Sequence, residues 1–92
     1  MSSLKIKKRT AEIKSKYDIR ILTELIRYSK IKPEKSEAVM AVVTLGITPY
    51  EAEKRYDRPT NSVSRDVNKL IKLVDFIEHI GSFEHGEIYR FS

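Results

Sequence analysis

The 92-residue chain contains no cysteine, so it can build neither a disulfide framework nor a thiolate zinc site. The same absence suits a reducing compartment such as the cytosol. Only three glycines are present and none has the spacing of a phosphate-binding loop. The longest purely apolar run, residues 38–43, is far short of a membrane span, and the basic N-terminus is not followed by the apolar stretch of a signal peptide. His79 and His85, even with Glu78 and Glu84 beside them, are too few for a metal site and read as surface residues. No Ser-His-Asp set or paired carboxylates stand out from the scattered charges, and a chain this short has little room for an enclosed active site beside its core. The expectation is one small soluble cytoplasmic domain, not an enzyme, without cofactor or metal.

What is present in quantity is positive charge, unevenly placed. The net charge is +5, but residues 1–35 hold eleven Lys or Arg against four Asp or Glu, while residues 36–92 hold seven against nine. The N-terminal third therefore reads either as a surface for a polyanion or as a solvated, flexible basic arm. Residues 1–9 carry too few apolar side chains to fold alone and are expected as that arm. Ile13, Tyr17, Ile21, Leu25 and Tyr28 then recur at helical steps, predicting a helix over 10–30, with a break at Asp18 capping a second helix as the alternative. Ile19, Leu22 and Ile26 widen its stripe, as expected of a segment that packs on its own core and on a partner subunit.

The next helix opens at Pro33 or Ser36, draws core from Ala38, Val39, Val42, Val43 and Leu45, and closes at Gly46 as a left-handed C-cap. Thr48, Pro49 and Glu51 form a T-x-x-E capping box with proline in the first helical position, which starts a short helix over 49–56. That helix buries Ala52 and Tyr56 and leaves Glu51, Glu53, Lys54 and Arg55 outside. Pro59 and Thr60 break the chain, and Val63, Val67, Leu70, Ile71, Val74 and Ile77 mark a last long helix over 61–80, ended by Gly81. Residues 82–92 allow a short β-hairpin, as a wing or a dimer pairing, or a loosely ordered tail whose aromatics cover the core edge. The fold class is all-α: a small multi-helix, helix-turn-helix domain, with the C-terminal hairpin as an option.

Turning the apolar stripe of the last helix inward leaves Asn61, Ser62, Ser64, Arg65, Asn68, Lys69 and Lys72 on its open face. These residue types suit duplex DNA. Arg can donate to O6 and N7 of guanine, Asn can pair with adenine, and Ser can bond bases or phosphates in a major groove that admits a helix. Asn61, Ser62, Ser64 and Arg65, near the helix start, are the base-reading candidates. Lys69, Lys72, Arg58 and Thr60 are placed for phosphates, and Lys7, Lys8 and Arg9 add basic charge from the N-terminus. A polar face opposite an apolar stripe is also what any solvated helix shows. Asp66 repels phosphate and is expected to pair with Lys69 one turn on.

The run LGITPYEAEKRYDRPTNSVSRDVNKLIKL (residues 45–73) resembles the helix-turn-helix of PapB-type regulators of fimbrial (adhesin) operons, notably at Glu53-Lys54, Tyr56, Asn61, Ser64 and Leu70-Ile71-Lys72-Leu73. Its segment PTNSVSRDVNKL is also similar to the recognition region of KorA-type plasmid repressors through the V-S-x-x-V core. The resemblance covers about a third of the chain. Upstream helices match only in pattern, the segment before the motif is about one turn shorter, and the C-terminal tail has no counterpart. It implies a bacterial or plasmid-borne transcription regulator that binds double-stranded DNA, with a leaning to A·T-rich sites, as a homodimer or higher oligomer. It also implies DNA contact through Ser64, Arg65 and Lys69. The N-terminal helices and the apolar end of the last helix would form the dimer. The competing reading is a helical adaptor or anti-activator that keeps the shape and binds a protein.

Overall fold

Asp18 decides how the N-terminal segment folds. In the computed structural model of the chain, which describes residues 3–83 with side chains over 5–81, its carboxylate accepts from the Ile21 N–H at 3.0 Å while its own backbone is extended. A capping carboxylate of this kind typically contributes ~1 kcal/mol to the helix it starts. Two helices result, α1 (Ser3–Lys16) and α2 (Ile19–Tyr28), in place of one helix over 10–30. The expected arm over 1–9 is also corrected, because α1 already begins at Ser3. Ile6 and Thr10 are 3% and 2% exposed and continue the buried line of Ile13 backwards at helical spacing, so the first turns are held by the core.

α3 (Pro33–Leu45) starts with Pro33 in its first turn, where the missing N–H costs nothing, and α4 (Pro49–Arg55) repeats the device at Pro49. The Thr48 hydroxyl accepts from the Glu51 N–H at 3.1 Å, forming the expected cap. Gly46 sits at φ 72 between them, and a Cβ there would meet nothing within 4 Å. Only backbone strain then opposes a side chain. Gly46→Ala is expected to lower stability by ~1–2 kcal/mol in a urea titration, with Gly46→Asn losing less because Asn tolerates left-handed angles.

α5 (Ser62–Phe83) closes the domain, and the chain is all-α, with no strand among the described residues. The core joins Ile6 and Ile13 of α1, Leu22, Leu25 and Ile26 of α2, Ala38, Val39, Val42 and Val43 of α3, Ala52 of α4, and Val63, Val67, Leu70, Ile71 and Val74 of α5. Ala52 is fully buried where α4 packs on α3 and α5, and its small side chain permits the close approach. Leu45, expected in the core, is instead 61% exposed: it ends α3 beyond the buried Val42 and Val43. Ile77 also departs from expectation at 41% exposure, Val74 being the last buried residue of α5 among the described side chains.

Gly81 does not end α5. Among the described glycines only Gly46 has positive φ, and the helix continues through Gly81 to Phe83. The expected hairpin or aromatic cover falls mainly on residues 84–92, which lie outside the described residues, while positions 82 and 83 belong to α5.

Candidate nucleic-acid interface

The connection between α4 and α5, residues 56–61, is two tight bends. Asp57 and Asn61 take left-handed φ of 52 and 66, a conformation that Asp and Asn tolerate better than most side chains. The connection is longer than the turn of about three or four residues in the shortest helix-turn-helix units. Hydrogen bonds from the Arg58 N–H to the Glu53 carbonyl at 2.8 Å and from the Ser62 N–H to the Pro59 carbonyl at 3.1 Å pin its two halves.

Glu53 orients α5. Expected on the outside of α4, it is in fact 6% exposed, and its Oε2 accepts from the Val63 N–H at 3.1 Å. The first N–H groups of a helix lack partners within the helix, and a carboxylate there also faces the positive end of the helix dipole. One buried side chain thus caps α5 from the preceding helix and sets the angle between the two. The sequence holds a faint signal of this. Ser62 and Asn61 precede the apolar stripe, yet no Glu or Gln stands three residues after either, so a capping box is absent at this helix start.

Along α5 the face opposite Val67, Leu70 and Val74 carries Arg65, Lys69 and Lys72, all exposed, with Ser64 and Asn68 half-buried at its edge. Thr60 and Asn61 are exposed just before the helix. These are the predicted residues that the fold brings together. Asp66 is 5% exposed and its Oδ1 lies 3.7 Å from the Lys69 Nζ, which is the expected pairing and draws the carboxylate off the open face. The Asn68 Oδ1 and the Arg58 Nε are enclosed without a protein hydrogen-bond partner, and Arg58 is half-buried against the turn.

Two predicted site residues are placed elsewhere. Ser62 is 8% exposed and its hydroxyl donates to the Pro59 carbonyl at 2.7 Å, so it belongs to the turn and is not available to a base. Arg9 is turned from the solvent into a clasp between α1 and α5. Its guanidinium donates to Asp75, to Glu78 at 3.3 Å and to Glu12 at 3.0 Å, while Lys16 and the Tyr17 hydroxyl also reach Glu78. The Asp75 hydrogen bond outweighs the opposing cost of burial and raises the Arg9 pKa above the ordinary arginine value. With a raised folded-state value, what the clasp contributes is fully present below that ordinary pKa and is lost only as pH climbs through the raised one. Arg9→Ala is expected to cost less than ~1 kcal/mol by urea titration, because its partners are partly solvated. Its effect on any DNA affinity should be smaller than that of Lys72→Ala. Lys7 and Lys8 remain exposed, on a helix and not on a loose arm.

Lys54 and Arg55, exposed on α4 beside the turn, were not among the sequence candidates. The Lys54 ammonium lies 4.6 Å from the centre of the Tyr50 ring, which holds this cation in one place.

A groove of ≈ 610 Å³ lies away from this polar face, between α2 and α3, and includes Ile26, Ile31, Met40, Leu45 and Tyr56. The Thr23, Ser36 and Thr44 hydroxyls that line it donate to the backbone carbonyls of Ile19, Pro33 and Met40. Among the described residues no group of three His, Cys, Asp or Glu could hold a metal ion, and no helix is long and apolar enough to cross a membrane. Comparison of the chain with protein-family models, with curated proteins and with solved structures gives no match.

Proposed function

We propose that the chain is a double-stranded DNA-binding transcription regulator, non-enzymatic, in which α4 and α5 act as a helix-turn-helix on duplex DNA. The observation that carries this reading is the row of exposed Arg65, Lys69 and Lys72 on a helix whose start is held by Glu53 of the preceding helix. Arg65, nearest the start of α5, reads base edges, with Asn61 and Ser64 beside it. Lys69, Lys72 and Thr60 take phosphates, joined by Lys54 and Arg55 from α4. The similarity of residues 45–73 to the PapB-type and KorA-type motifs supports the same assignment. On this reading the protein acts on fimbrial or plasmid DNA, within the nucleoid or on the plasmid.

A single copy presents limited charge, since residues 46–72 hold six Lys or Arg against four Asp or Glu. Affinity then needs a second copy. Phe76 and Ile80, 58% and 37% exposed near the end of α5, offer an apolar surface for one. The competing adaptor reading rests on the apolar groove between α2 and α3, which a protein segment could fill. A mobility shift with random and A·T-rich duplexes, alongside a mass measurement in solution, separates the two. The regulator shifts both duplexes, the A·T-rich one more readily, as a dimer or larger species; the adaptor shifts neither.

A further inference from the structure

Of the eight large apolar side chains left exposed among the described residues, five stand on α2 and the C-terminal half of α5: Ile21, Tyr28, Phe76, Ile77 and Ile80. Ile21, Tyr28 and Ile77 line a groove of ≈ 550 Å³ between the two helices, and Phe76 is not part of its wall. On α5, Ile80 lies three positions from Ile77 and four from Phe76, so it joins groove and ring in one continuous face. We infer that this face is the contact between two copies of the chain, related by a two-fold axis so that Phe76 of each copy enters the groove of the other.

Shape, area and charge each select a second copy. A two-fold contact must be self-complementary, and here one surface carries both a groove and, beside it, an exposed ring to fill the groove of its mate. At about 200 Å² for a whole large side chain, the five exposures leave roughly 500 Å² of apolar area open to water. That matches the apolar share of the roughly 800 Å² that each partner buries in a stable dimer. Charge does not oppose the pairing. The Asp18 carboxylate caps the Ile21 N–H and Glu24 accepts from Arg27 at 3.1 Å, so the groove asks for an apolar occupant. Asp18, Arg20, Glu24 and Arg27 carry no net charge between them, so two copies of this face do not repel although the whole chain carries +5.

The contact also sets how two copies meet DNA, and this consequence alone rests on the DNA-binding reading. Ile80 looks about a quarter turn round the helix from Lys72, so a two-fold axis can aim both open faces the same way. Arg65 lies eleven positions before Phe76, about 16 Å along the helix axis. With the two α5 helices antiparallel across the two-fold axis, the two Arg65 residues stand up to about 33 Å apart, close to the roughly 34 Å between successive major grooves on one side of a duplex.

Tyr28 and Phe76 are 73% and 58% exposed, so a charge placed at either does not enter the core. By sedimentation equilibrium of the full-length protein without DNA, the wild type is expected to be a dimer at micromolar concentration. Tyr28→Glu and Phe76→Lys, with helical circular dichroism confirming each fold, should each raise the dimer dissociation constant at least about tenfold. An equimolar mixture of the two variants should recover the dimer, because one contact then joins the two new opposite charges while the other keeps the native Phe76 and Tyr28. Leu45→Glu, at a side chain 61% exposed in the groove between α2 and α3, is the reference and should leave the dimer intact. A monomeric wild type, or a dimer that survives both variants or is lost in the reference, would overturn the inference. Failure of the mixture to pair would overturn the reciprocal seating of Phe76. A dimer that shifts no duplex would keep this inference and remove the DNA-binding reading.

Discussion

Glu53→Ala is expected to lower the unfolding free energy by ~1–3 kcal/mol, read as a fall in thermal midpoint of roughly 4–8 °C per kcal/mol for a domain of this size. The substitution strips a buried acceptor from the Val63 N–H and leaves that donor enclosed where water does not replace the bond well. It also removes a negative charge from the positive end of α5. Glu53→Gln separates these effects, since its amide oxygen can still accept from Val63 while the charge is gone. The Gln variant should therefore retain most of the stability. If Glu53 only filled space, Gln and Ala would differ by their packing alone, and Glu53→Met would be as stable as the wild type.

The same carboxylate links stability to the proposed interface. Glu53 joins α4 to the first turn of α5, the turn next to Arg65, so loosening it lets the recognition face shift relative to α4. DNA affinity of Glu53→Ala should fall even at temperatures where the protein remains folded. A displacement of this kind affects all sequences, because it disturbs the placement of the helix and not a single base contact.

Arg65→Ala is the second large expected effect, at ~1–3 kcal/mol of binding free energy, with relaxed preference at one base position. Arg65 is exposed on the open face of α5 and has room for a bidentate contact with guanine. Lys72→Ala, two turns further along the same face, should weaken all sequences alike and make the salt dependence shallower by about one phosphate contact. Competition titrations with the preferred duplex and single-base variants distinguish the two. Unchanged specific binding by Arg65→Ala would remove it from base recognition.

Local chemistry made much of this fold legible before any coordinates. Thr48, Pro49 and Gly46 act through their immediate neighbours, and the Thr48 N-cap, the helix start and the left-handed cap all occur where those residue types require them. The stripe from Val63 to Val74 is likewise a property of spacing. The misreadings arise where a long-range partner decides. Arg9 has no local feature that marks it as bound to Asp75 and Glu78 across 66 and 69 positions, so it reads as free basic charge until α1 is seen against α5. Glu53 reads as an outer-face carboxylate because its partner, the Val63 N–H, is a backbone group ten positions on. Ser62 reads as part of the open face because only the turn geometry returns its hydroxyl to Pro59. Ile77 continues the apolar period yet is 41% exposed, and a period cannot show where its cover stops.

The most direct measurement of the central claim is the equilibrium affinity of the full-length protein for a short duplex at two salt concentrations, about 50 and about 200 mM. Two copies presenting Lys69, Lys72 and their neighbours would make roughly four to six phosphate contacts, for which affinity should fall by roughly 10²- to 10³-fold across that range. Binding that is absent, or that does not change with salt, would contradict a role on duplex DNA.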